Sequence, residues 1–143
     1  MTDYTRIDRY LENHLNDSIA ELSRLCAQPS VGAQNWGLHE CAMLVAEMLH
    51  RRDFDVEVMP TGGAPVVYAE RKGRSKKTLL FYNHYDVQPP EPLELWTTPP
   101  YQPTVRDGAL YARGAIDDKG ELVARLAAVD AVRAVHGDAL PCG

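Results

Sequence analysis

No run of about 20 apolar residues occurs, the length a helix needs to cross a bilayer. The N-terminal stretch Met1 to Arg9 is polar and charged, unlike the apolar core of a signal peptide. The expected location is therefore the cytoplasm, with no membrane partner. Cysteine is scarce: Cys26, Cys41 and Cys142 are odd in number, widely spaced and form no CxxC pair. That argues against a disulfide framework, and Cys26 and Cys41 fall within helical patterns as small core residues. No GxGxxG or GxxxxGK[ST] run is present, and Thr61-Gly62-Gly63 opens no helix, so a nucleotide-binding α/β domain has no phosphate-cradling loop to rest on. Basic residues cluster only at Arg71 to Lys77, without interleaved aromatics, in a chain of formal net charge -5. Phosphate-backbone recognition needs a sustained basic face. The cluster reads as a solvated hairpin tip, and nucleic acid is not an expected partner.

What is present suffices for a packed domain, since 45% of the 143 residues are hydrophobic and 24% charged. Tyr4, Ile7, Leu11, Leu15, Ile19, Leu22 and Leu25 recur every three or four residues and predict one long amphipathic helix closed by Pro29. Leu38, Ala42, Val45 and Leu49 predict a second, whose end carries His50, Arg51 and Arg52, cations suited to the carbonyl end of a helix. Strand-like runs follow at Phe54 to Met59, Val66 to Glu70 and Thr78 to Tyr82, with turns at Thr61-Gly62-Gly63 and Lys72 to Ser75 between them. Pro89 to Pro103 holds six of the ten prolines and is expected to be an extended loop. A short strand, Ala109 to Ala112, leads to a third helix from Lys119 to His136, stopped by Gly137.

This order is an α/β pattern. The third helix follows a strand and has a broad apolar face, as a crossover helix does before a further parallel strand. Only Asp138 to Gly143 follow it, so the sequence reads as ending mid-fold. A domain that finishes on a C-terminal helix is the alternative.

Two clusters carry chemistry. In Phe81-Tyr82-Asn83-His84-Tyr85-Asp86-Val87 an apolar run enters a polar cluster, at the strand end where open α/β sheets place ligands. His84 and Asp86 are two residues apart and share a face of an extended chain. A carboxylate beside an imidazole fixes its tautomer and supports it as a metal ligand, although His-x-Asp alone is as readily structural. In Ala112-Arg113-Gly114-Ala115-Ile116-Asp117-Asp118-Lys119-Gly120, two carboxylates stand where a helix begins, favoured by its positive end. Either could bridge divalent cations, or simply cap the helix.

Taken in order, His84-Tyr85-Asp86-Val87-Gln88-Pro89, then Trp96 to Tyr101, then Arg106 to Gly120, with Pro29-Ser30-Val31 upstream, resemble the M20 metallopeptidase family, in its dipeptidase or carnosinase-like branch. The resemblance covers nearly the whole chain. It implies the N-terminal part of a zinc-peptidase-like α/β catalytic domain over residues 1–143, a mixed sheet flanked by helices and truncated after the third one. The smaller lid or dimerisation domain of such enzymes would be absent. It implies His84 as ligand to one metal, Asp117 as the carboxylate bridging two metals, and Asp86 as the catalytic-site residue that orients His84. Asp118 falls on a variable position, often Met in deacylase-like members, and is not assigned as a ligand. Family members also tend to have a strained peptide bond just after the bridging Asp.

The implied activity is hydrolysis of dipeptides or similar small amides, with two zinc ions about 3.5 to 4 Å apart and a bridging water; other divalent metals could substitute. The small peptide would be the substrate, and the full-length protein a homodimer. The glutamate base and remaining ligands of such enzymes find no match here. Glu121 belongs to the helix, and His14, His39, His50 and His136 read as surface, packing or helix-end residues. The chain alone is thus expected to bind metal weakly and lack activity. An N-acyl amino acid deacylase of the same family and a non-catalytic truncated module are the alternatives.

Overall fold

A computed structural model describes residues 3–143; Met1 and Thr2 of the polar N-terminal stretch lie outside the described residues. The amphipathic pattern expected as one helix forms two, α1 (Asp3–Asn13) and α2 (Leu15–Ala27). The break falls at His14, which contains neither Gly nor Pro chemistry to explain it. Instead its ring stacks on Tyr10 at 3.9 Å, its Nδ1–H donates to the Tyr10 carbonyl at 2.8 Å, and Ser18 Oγ donates to the His14 carbonyl at 3.3 Å. Side chains that bond back to helix carbonyls interrupt and bend the ladder in this way.

Helix α3 (Leu38–His50) begins at Gly37, whose φ of 71° is left-handed. The antiparallel hairpin β1 (Asp55–Met59) and β2 (Val66–Glu70) packs on α3. A second hairpin, β3 (Thr104–Arg106) and β4 (Ala109–Tyr111), turns at Asp107 and Gly108, both at positive φ. That Asp-Gly pair is a two-residue hairpin signal, and it places a strand at β3 that the hydrophobic pattern alone does not announce. Helix α4 (Lys119–His136) ends at Gly137 with φ 67°, as the sequence predicts. Its apolar stripe meets α1 and α2 rather than a sheet.

The core lies between α2, α3 and α4: Leu25, Cys41, Val45, Met48, Val123 and Leu126 are buried together, with Val67 and Tyr85 packed against them. Removing such a side chain to Ala typically costs about 2–5 kcal/mol. Arg52, at the end of α3, binds the three helices together. Its guanidinium donates to Glu21 of α2 at 2.7 Å, Asp130 of α4 at 2.9 Å and the Met48 carbonyl at 2.9 Å.

The run from Thr78 to Asp86 is extended but makes no ladder among the described residues, contrary to the strand expected at Thr78 to Tyr82. Strand propensity there is strong, but a ladder needs a flanking strand to accept its backbone groups. Among the described residues its backbone-to-backbone hydrogen bonding is limited to Leu79 N–H donating to the Gly143 carbonyl, with a parallel bridge between Val87 and Val31 just beyond the run. Leu79, Leu80, Phe81 and Tyr82 are accordingly exposed.

Candidate active site

Two segments far apart in sequence meet at the site. The first, His84 to Val87, is secured from below by the Pro29-Ser30-Val31 segment that leaves α2. Ser30 is fully buried; its Oγ donates to the Tyr85 carbonyl at 2.7 Å, and its own carbonyl accepts the Val87 N–H at 2.8 Å. Gly32 follows because a Cβ there would come 2.7 Å from Asp86 Oδ2. These three contacts explain physically why the short Pro-Ser-Val-Gly stretch accompanies His-x-Asp.

The second segment is the turn into α4. Asp118 does not cap its own helix with its side chain. Its Oδ2 instead accepts the Asn83 amide N–H at 2.7 Å and the His84 backbone N–H at 3.2 Å, joining the two segments. The peptide bond between Asp117 and Asp118 is cis, at the position where the sequence comparison anticipated an unusual bond. Asn83 does not stand out by residue type, and Asp118 stands out only as a cap or a ligand; this bonding between distant segments reveals what they do.

His84 lies between three oxygens. Its Nδ1 is 3.0 Å from the Asp86 carbonyl oxygen and 3.2 Å from Asp86 Oδ1. A carbonyl oxygen can only accept, so Nδ1 carries the proton and donates. Its Nε2 then faces Asp117 Oδ1 at 2.9 Å. With Nδ1 protonated, a neutral ring presents a lone pair on Nε2 to a carboxylate oxygen, and only an electropositive occupant reconciles the two. That occupant is either a second proton or a metal cation. Burial lowers the His84 pKa, but the hydrogen bonds to the Asp86 carbonyl and Asp117, with the charges of both carboxylates, outweigh it and leave the pKa raised.

An imidazole nitrogen and a carboxylate oxygen are the donor types zinc takes. With metal–ligand bonds of about 2.0–2.2 Å, their separation is close to that of two ligands on one cation. The donor set therefore fits a divalent metal, and Asp86 stands behind His84 as an orienting carboxylate does. It is also partial: among the described residues, no group of three or more His, Cys, Asp or Glu side chains is arranged to hold an ion. Glu121 lies on the first turn of α4, where it faces Arg125. His136 sits at the end of that helix. No described helix is long and apolar enough to cross a membrane.

Residues 80–139, which contain both segments, match the sequence profile of peptidase family M20/M25/M40. Over those residues the chain belongs to that family. Among curated relatives it is 36% identical over 121 residues to the succinyl-diaminopimelate desuccinylase of Azoarcus sp. (strain BH72), covering 85% of this chain and 31% of the relative. Among solved structures it superposes on human carnosine dipeptidase 1 with a TM-score of 0.84 at 31% identity, covering 92% of this chain and 31% of that one. It also matches Sso-CP2, an M20 family metallo-carboxypeptidase from Sulfolobus solfataricus, with a TM-score of 0.74 at 41% identity, over 76% of this chain and 25% of that one. The chain thus spans about a third of the length of the curated relatives it matches.

Proposed function

We propose that this M20 chain contributes half of a metal centre that hydrolyses the amide bond of dipeptides, with His84 and Asp117 as metal ligands and Asp86 as the residue that orients His84. The observation that carries the reading is the 2.9 Å approach of His84 Nε2 to Asp117 Oδ1, with Nδ1 already committed to Asp86. When bound, a divalent cation such as zinc would polarise the scissile carbonyl and lower the pKa of a water. The chain's own residues prepare for it. Asp86 keeps the proton on Nδ1, so that the Nε2 lone pair points outward. Asp118, through Asn83 and the His84 N–H, holds the two ligand segments in register.

A catalytic zinc takes at least three protein ligands, and two such ions cannot be held tightly by one imidazole and one carboxylate. The remaining donors and the general base then come from residues outside this chain, and the 143 residues alone are weak metal binders without peptidase activity. Zinc stoichiometry after dialysis, with the solution mass of the same sample, tests this. Little retained zinc, lost altogether in His84→Ala, is expected. Two tightly held ions per chain would overturn it.

A second reading has its own support, because the curated relative from Azoarcus sp. is a succinyl-diaminopimelate desuccinylase. Under it the longer protein removes an N-acyl group from an amino acid. Dipeptide cleavage is favoured because of the fit to carnosine dipeptidase 1 and because Asp118, not Met, follows Asp117. Comparing rates on dipeptides and on N-succinyl amino acids, with a protein that contains this chain and the rest of its catalytic domain, decides between them. Preference for the N-succinyl substrates reverses the choice.

A further inference from the structure

Lys119 follows the two aspartates, yet its side chain runs away from them into the core. It is fully buried. Its Nζ donates to the Leu25 carbonyl at 3.0 Å and the Gln28 carbonyl at 2.7 Å. Leu25 lies in the last turn of α2 and Gln28 is the extended residue that follows it; carbonyls at this end have no partner within the helix and carry its negative end. Two glycines make room for this. A Cβ at Gly114, where φ is 85°, would lie 3.2 Å from Lys119 Cδ and 2.8 Å from Val87 Cγ1, and one at Gly120 would collide with the Ala115 carbonyl oxygen. The Lys119 N–H closes the turn by donating to the Gly114 carbonyl at 3.1 Å.

The first turn of α4 is therefore held at two points. Asp118 ties it to Asn83 and His84, and Lys119 ties it to the end of α2. Asp117 itself is mostly exposed, at 75% of its side-chain area, and among the described residues its carboxylate meets only His84. A carboxylate so placed owes its position to its backbone.

We infer that Lys119 is a positioning residue for the site: by anchoring the start of α4 to the C-terminal carbonyls of α2, it sets the Asp117 carboxylate opposite His84 Nε2. It touches neither substrate nor metal. The inference rests on the reading of His84 and Asp117 as a ligand pair, but the contact between them can be observed without metal.

The test compares the purified chain with Lys119→Met, Lys119→Gln, Asp117→Asn and Ala131→Gly. The last loosens α4 at a buried position remote from the site. Two quantities are read at fixed pH: the His84 side-chain ¹⁵N shifts of the metal-free protein, and zinc affinity by chelator competition. Lys119→Met is expected to move the His84 shifts at least about halfway to those of Asp117→Asn. It should weaken zinc about 10-fold or more, as loss of a ligand's support does. Ala131→Gly should leave both at wild-type values. Lys119→Gln, which keeps one donor, should fall between and serves if the Met variant does not fold.

Unchanged His84 shifts in the Lys119 variants would overturn the inference. So would equal effects from Ala131→Gly, or failure of both Lys119 variants to fold, since Lys119 would then be a general folding determinant. If zinc affinity proves indifferent to His84→Ala, the ligand reading fails instead, and the ¹⁵N shifts still judge Lys119.

Discussion

Replacing Ser30 by Ala removes one hydroxyl and tests how the His84 segment is held. The Oγ is fully enclosed and donates to the carbonyl of Tyr85, between His84 and Asp86, at 2.7 Å. Among the described residues, alanine leaves that carbonyl with no donor except the Cys41 thiol, a weak one at 3.9 Å. Leaving such a group unsatisfied costs about 1–3 kcal/mol. Total stability for a domain is typically about 5–15 kcal/mol, so the loss is readily measured by urea unfolding. Ser18→Ala is the matched control: its hydroxyl makes only a 3.3 Å bond to the His14 carbonyl within the same helical region. A change within about 0.5 kcal/mol is expected there. The effect should also be local. Amide exchange of Val87, whose N–H is bonded to the Ser30 carbonyl, should accelerate more than exchange in the middle of α3. If Ser30→Ala costs no more than Ser18→Ala, or if Val87 exchange is unaffected, the clamp does not operate as argued.

Gly114→Ala should be more costly, because left-handed φ adds roughly 1–2 kcal/mol and crowding of Val87 and Lys119 adds about 1–3 kcal/mol. Thermal or urea unfolding would check it, and a loss below about 1 kcal/mol would contradict the steric account. Alkaline pH provides a further test through Cys26, whose thiol is pushed by burial from 9.0 up to about 11. Since its folded pKa is raised, its contribution is fully present below pH 9 and is lost as pH rises to about 11. The slope integrates to roughly 2–3 kcal/mol for two pKa units. Unfolding free energies across that range should fall less in Cys26→Ala than in the wild type, and equal slopes would exclude the thiol as their source.

Much of the molecule follows from local pattern. The apolar spacing of Leu38 to Leu49 and of Leu122 to Val132, ended by cations and by Gly137, places α3 and α4, because helix periodicity and C-terminal chemistry are properties of neighbouring residues. The hairpin β1–β2 is likewise local. His84, Asp86 and Asp117 are legible as an ordered pair of motifs, each with its own chemical sense. What local pattern did not decide is interaction across the chain. The break at His14 depends on which carbonyls its ring and Ser18 reach. The run from Thr78 to Tyr82 has the composition of a strand but takes the ladder only where a partner strand lies beside it.

At the site, residue type named the candidate ligands while tertiary structure decided what holds them. Asp118 could have capped α4 or bound a cation; its bonds to Asn83 and His84 show a brace between two segments 34 and 35 residues away. Lys119 reads as a surface charge by composition, since lysine is rarely buried. Its place in the core follows from carbonyls 94 and 91 residues earlier. The sequence by itself determined which atoms could meet a metal, because donor chemistry belongs to the side chain. Only the folded chain decided that Nε2 and Oδ1 face one another at 2.9 Å, because that distance is set by contacts between segments far apart in sequence, which no local pattern records.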